Sequence, residues 1–201
     1  MNKTTQNGFT LYELMVTVLI VGVVLALGIP NMREYSQNSR MTGTANDFHS
    51  AFHLARSESS RAKTNITICA SANSMTGTPT CGGTWDQGYI VFVDTDGNLQ
   101  TGGVNEAILL THPVIAEGVA MVVENNATYF SFAATGRGRQ NVNGLTALSR
   151  VLMCDERGHD IAAGGRSTTR MFVATPLGRA TIQSGKDMIT AAMTDMGAVC
   201  P

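Results

Sequence analysis

The feature that most constrains this chain is the stretch from Phe9 to Ile29, which is almost wholly apolar and carries a single charge, Glu13. Its 21 residues make a helix about 31 Å long, the thickness of one bilayer core. A carboxylate inside such a segment is costly, so its presence points to a function. The segment does not read as an ordinary secretory signal. Only Lys3 is positive in the residues ahead of it, and the run ends in Gly28-Ile29-Pro30 with no small-x-small site behind it. The cut that fits lies before the run, between Gly8 and Phe9. The mature chain would then begin with an amine on Phe9, four residues from Glu13.

Of the 201 residues, about 170 remain beyond the leader and span, enough for one domain with its own core. Charged residues make up only 14% and there are 21 glycines, which suits an extracellular β-rich domain with many turns. The net charge of −1 exerts no global pull toward nucleic acid or acidic lipid. The charges are unevenly spread. Between Lys63 and Arg137 lie six acids (Asp86, Asp94, Asp96, Glu106, Glu117, Glu124) and no Lys or Arg; from Arg137 to Lys186 there are eight Lys or Arg against three acids. Such halves either pair head to tail between subunits or interleave within one. Four cysteines lie beyond the span: Cys69, Cys81, Cys154 and Cys200. An even count in a domain facing an oxidising compartment suggests two disulfides, with three connectivities open. The preferred pairing is Cys69–Cys81, closing a Gly/Thr/Pro-rich loop, with Cys154–Cys200 pinning the C-terminus.

Along the chain, Phe9 to about Lys63 reads as one long helix, with a kink expected where Pro30 removes a backbone donor. Beyond Asn31 the helix turns amphipathic: Met41, Ala45, Phe48, Phe52 and Ala55 form one stripe that should pack on a sheet. The period then changes to two. Ile66–Ala70 and Gly88–Asp94 read as strands, and so do Ala107–Thr111, Val119–Glu124, Thr128–Phe132, Leu148–Cys154, Met171–Thr175 and Arg179–Gln183. Antiparallel pairing is expected, because no second long helical pattern is available for crossovers. Residues 184–201 lack a clear pattern and read as a tail held by Cys200.

Gly8-Phe9-Thr10-Leu11-Tyr12-Glu13-Leu14 followed by apolar residues to Pro30 resembles the N-terminus of type IV prepilins and type II secretion pseudopilins. Further along, Ala55-Arg56-Ser57-Glu58, Cys69, Cys81, Trp85-Asp86-Gln87-Gly88-Tyr89-Ile90-Val91-Phe92, Cys154 and Leu177-Gly178-Arg179 are similar to the GspH/FimT/FimU branch of minor pilins and pseudopilins. The resemblance implies cleavage by a prepilin peptidase at Gly8, N-methylation of Phe9, and neutralisation of a neighbouring subunit's amine by Glu13. It implies other pilins or pseudopilins as partners. It also implies an inner-membrane, single-pass precursor with a periplasmic domain; no enzymatic activity or cofactor is expected, since serine-nucleophile motifs are absent and bridged cysteines leave no cysteine–histidine pair. The fold class is then α+β, a long N-terminal helix with a membrane-spanning first half, packed against an antiparallel β-sheet domain. The divisions are residues 1–8 (leader), 9–30 (assembly segment), 31–63 (amphipathic helix), 64–183 (β-rich domain) and 184–201 (tail).

Some motifs invite other chemistry. Gly136-Arg137-Gly138-Arg139 offers two arginines on a glycine-rich turn, which could grip phosphates, and the FimT members of this branch are associated with DNA uptake through a Gly-Arg-x-Arg motif. DNA capture is therefore the alternative function. In those relatives the motif lies nearer the C-terminus, where this chain has Gly178-Arg179-Ala180-Thr181, and no aromatic flanks Arg137 or Arg139 for base stacking. His49 and His53 stand one helical turn apart but lack a third ligand and a His-Glu-x-x-His frame, so they read as helix-face histidines. Asp94-Thr95-Asp96-Gly97-Asn98 reads as a turn, its glycine too early for a calcium loop. No metal is assigned.

Overall fold

A computed structural model describes residues 9–162 and 165–200. Gly8 and the rest of the expected leader fall outside these residues, as does Pro201. The chain divides within its first helix into two compact units, residues 1–39 and 40–201.

Helix α1 runs Leu11–Ala62 and continues through Pro30. In the first unit its apolar side chains are exposed from Leu11 through Ile29 and on to Met32 and Tyr35. The helix is long and apolar enough there to cross a membrane. Among the described residues, the first buried one is Met41. From that point α1 belongs to the second unit, and the expected stripe (Met41, Ala45, Phe48, Phe52, Ala55) is fully buried together with Thr44, Ala51 and Ser59.

The strands form two antiparallel sheets rather than one. The first has the order β3-β2-β1-β5-β6, with β1 at Ile66–Ala70, β2 at Tyr89–Val93, β3 at Ile108–His112, β5 at Tyr129–Phe132 and β6 at Gly138–Arg139. The second has the order β10-β9-β7-β4, with β4 at Ala120–Val123, β7 at Arg150–Cys154, β9 at Arg166–Ala174 and β10 at Ala180–Gly185. The short β8 (Ile161–Ala162) pairs with β9. All eight expected strands are present. The two additional ones, β6 and β8, are two residues each, too short to leave a period in the sequence.

Both sheets close on the same helix. Phe52 meets Phe130 and Phe132 of the first sheet at 4.7 and 4.8 Å, and Phe172 of the second at 5.1 Å. Phe48 touches Tyr89, Trp85 and Phe172 edge-on. One aromatic pair on one helix face thus joins the layers, each contact adding about 0.5–1.5 kcal/mol beyond its buried area. Strand β1 is buried on both faces. Ile66 and Ile68 share the helix side with their cross-strand partners Phe132 and Phe130. Thr67 and Cys69 lie on the far side, which the Cys69–Cys81 disulfide and Leu99 cover.

The expected C-terminal tail is instead a helix, α2, at Lys186–Met196. Ile189 and Ala192, three residues apart, pack on Leu152, Cys154 and Met171 on the back of the second sheet. Gly197, in the left-handed region at φ 58°, ends it: its N–H donates to the Thr194 carbonyl and that of Ala198 to the Met193 carbonyl, a paired C-cap. Beyond this cap, Cys154–Cys200 fastens the end of the chain to β7. The pairing is thus Cys69–Cys81 and Cys154–Cys200, with no free cysteine among the described residues.

Candidate functional site

Two places carry the residues singled out from sequence: the start of α1 and the end of the first sheet around Arg139. At the helix start, Glu13 folds back on Thr10. Thr10 N–H and Oγ1 both donate to Glu13 Oε2 at 2.9 Å, and Glu13 N–H donates to Thr10 Oγ1 at 3.2 Å. This is a reciprocal capping box, which satisfies helix donors that have no intrahelical partner. Thr10 is not among the residues that sequence reasoning singles out, although Thr-x-x-Glu before an apolar run is the signature of such a box. Phe9 lies just outside the cap and is exposed. Glu13 is exposed as well, at the head of a helix face made of leucine, valine and isoleucine.

Around Arg139 the glycine-rich turn proves to be internal structure. Arg139 sits on β6, and its Nη1 donates to Asp94 Oδ2 at 3.4 Å and to Ser131 Oγ at 3.2 Å, while Nη2 donates to the Gly97 carbonyl at 3.2 Å. Asp94 is wholly buried. It also accepts from Thr67 Oγ1 at 2.8 Å and from the Leu99 N–H at 3.3 Å. The glycines are there for close approach: a Cβ at Gly138 would lie 2.6 Å from the Phe130 ring, and one at Gly136 would lie 2.5 Å from Ser60 Oγ. Arg137 alone of the pair is exposed. The two arginines therefore do not present a joint phosphate grip.

Asp96 and Glu106 stand close to Asp94, their carboxylate oxygens within 4.8 Å of one another. Most of these oxygens are engaged. Asp96 accepts from the Asn98 N–H and side-chain amide, and Glu106 accepts from the Gly103 N–H at 2.7 Å. Arg139 already supplies the positive charge. The segment is the expected turn, closed by the Gly97 N–H donating to the Asp94 carbonyl.

The uneven charge along the chain also resolves inside the domain. Asp94 pairs with Arg139, and Glu124 with Arg150, so acids of the first half meet bases of the second within one subunit. Arg150 reaches Asp195 on α2 as well, and Ser149 donates to Glu124. Hydrogen bonding from Arg150, aided by Ser149, holds the Glu124 carboxyl below the usual carboxylate range against the effect of burial. On the face of α1, His49 and His53 bring their rings together, with Nε2 atoms 3.1 Å apart.

Comparison with known proteins agrees with both regions. Residues 3–29 match the prokaryotic N-terminal methylation motif and residues 44–170 match the type II transport protein GspH. The chain is 36% identical over 81 residues to the type IV major alpha-pilin of Moraxella bovis, covering 34% of this chain and 51% of that protein. It is 39% identical over 46 residues to the fimbrial protein EcpC of Eikenella corrodens, covering 23% of this chain and 30% of that protein. The chain thus spans about half or less of the curated relatives it matches. Among solved structures, the type IV minor pilin FimU of Pseudomonas aeruginosa aligns with a TM-score of 0.46 at 15% identity, over 74% of this chain and 92% of that one. The GspH match takes in most of the two-sheet domain and the methylation motif takes in the capped apolar helix: the chain belongs to the GspH family of type II transport proteins.

Proposed function

We propose that this protein is a structural fibre subunit, a minor pilin or pseudopilin at the tip or priming position of a type IV pilus or type II secretion pseudopilus. It would be made as an inner-membrane precursor with its domain in the periplasm. A prepilin peptidase would cut between Gly8 and Phe9 and methylate the Phe9 amine. The segment from Phe9 to Ile29 would then pack among the same segments of other pilins, with Pro30 as a point of bending. The single observation that carries this reading is the exposed apolar face of α1 with one carboxylate, Glu13, at its head. Among the described residues, Glu13 meets only the uncharged donors of Thr10. In an apolar fibre core that leaves a net charge uncompensated, which a neighbouring Phe9 amine would neutralise.

The test begins with intact and N-terminal peptide mass of the protein made with and without an active prepilin peptidase. The expected product starts at methylated Phe9. A chain still starting at Met1 beside an active peptidase would reduce the protein to a plain membrane anchor. Glu13→Ala should then be processed but missing from sheared fibres. Because that change also removes the helix cap, Thr10→Ala is its partner: it loses the cap, keeps the carboxylate, and should still enter fibres. Equal incorporation of Glu13→Ala would remove Glu13 from assembly.

A further inference from the structure

We propose that His49 and His53 form a binding site for a divalent transition-metal ion on the face of α1. Spacing alone gives two histidines one turn apart and no third ligand. The structure adds their convergence: the Nε2 atoms are 3.1 Å apart, with ring centroids at 4.4 Å and planes crossing at 69°. Two imidazole nitrogens each about 2.05 Å from an ion and 3.1 Å from one another subtend about 98° at that ion. The angle falls between the about 90° of octahedral and the about 109° of tetrahedral coordination. The nitrogens therefore already have the separation that cis ligation needs.

The surroundings fit a weak, open site. His49 is half-buried and meets the Phe172 ring edge-on at 6.4 Å, which steadies one ligand. His53 is exposed, so water can fill the remaining coordination positions. Two imidazoles with no carboxylate select ions of the Zn2+, Ni2+ and Cu2+ kind over Ca2+ or Mg2+. The acidic group around Asp94 differs in chemistry, with carboxylates in place of imidazoles and Arg139 already paired with Asp94.

The experiment is a calorimetric titration of the metal-free full-length chain, in detergent micelles, with zinc chloride. The expected result is one ion bound per chain. His49→Ala and His53→Ala should each weaken binding by more than the about tenfold typical of losing an outer-shell partner, while His112→Ala and His159→Ala bind like the parent. Zinc should also raise the melting temperature of the parent and not of His53→Ala. Alanine suits a helix face, and exposed His53 remains decisive should half-buried His49→Ala disturb packing. Zinc uptake that survives His53→Ala unchanged, or that is lost equally in His112→Ala, overturns the site; so does a parent chain that takes up no zinc.

Discussion

Asp94 has no contact with water, and its charge is answered by one guanidinium, one hydroxyl and one backbone N–H. Removing Arg139 strands that carboxylate. Breaking a buried pair from one side costs about 3–5 kcal/mol, and here Thr67 and Leu99 still hold part of the charge. Arg139→Ala should therefore destabilise the domain by about 2–3 kcal/mol, read by thermal melting of the full chain in micelles, whereas exposed Arg137→Ala leaves the melt unchanged. Equal and negligible effects would mean that the Asp94–Arg139 pair does not hold the turn. Glu124 behaves differently, through pH. Its folded carboxyl binds a proton less tightly than the unfolded one, whose ordinary value is 4.5. Its contribution is therefore whole above that pH and is lost as the pH falls below it. Glu124→Gln should flatten the loss of stability as the pH falls below about 4.5. Neither pairing was legible in the sequence, because Asp94 and Arg139 lie 45 residues apart and only sheet register brings them together. What could be read was local: a turn at Asp94–Asn98.

At the scale of elements, α2 depends on what surrounds it. It buries only Ile189 and Ala192 fully and is too short to be stable alone. The Cys154–Cys200 bridge spans 46 residues and the Cys69–Cys81 bridge 12. Loop closure assigns about 4 kcal/mol to the first and about 3 kcal/mol to the second. Paired Cys154→Ser and Cys200→Ser changes should thus cost more stability than the Cys69/Cys81 pair. They should also open the chain to protease around residues 186–200 while the first sheet stays protected. A cleavage pattern the same for both double variants would deny α2 its tether. The helix leaves little trace in the sequence because its apolar residues are mostly methionine and alanine, which mark a face weakly, and because its stability is tertiary. One sign was available: Gly197 beyond a run free of proline, with Asp187 in the first turn. The strands were easier to read, since each of the eight longer ones puts β-branched or aromatic residues between turn residues.

On the scale of the whole molecule, the division within α1 separates two physical tasks. Among the described residues, every buried one lies at or beyond Met41, and the compact second unit begins at Arg40. The exposed apolar surface is concentrated upstream of it. A core that closes entirely within residues 40–201 owes nothing to the apolar segment, so a fragment starting near Arg40 should be soluble without detergent. It should melt within a few degrees of the full chain, since about 1 kcal/mol moves the midpoint by only about 2–4 °C at this size. A fragment melting far lower, or one that aggregates, would place part of the domain's stability upstream of Arg40. Sequence period alone marked the change from membrane-like to amphipathic helix, because a continuous apolar run and a Phe/Ala stripe differ residue by residue. It could not mark that the stripe serves two sheets at once. That comes from Phe48 and Phe52 each reaching Phe172 as well as the first sheet, a contact between residues 120 or more positions apart. The same two rings therefore tie both sheets to one face of α1, within the unit that begins at Arg40.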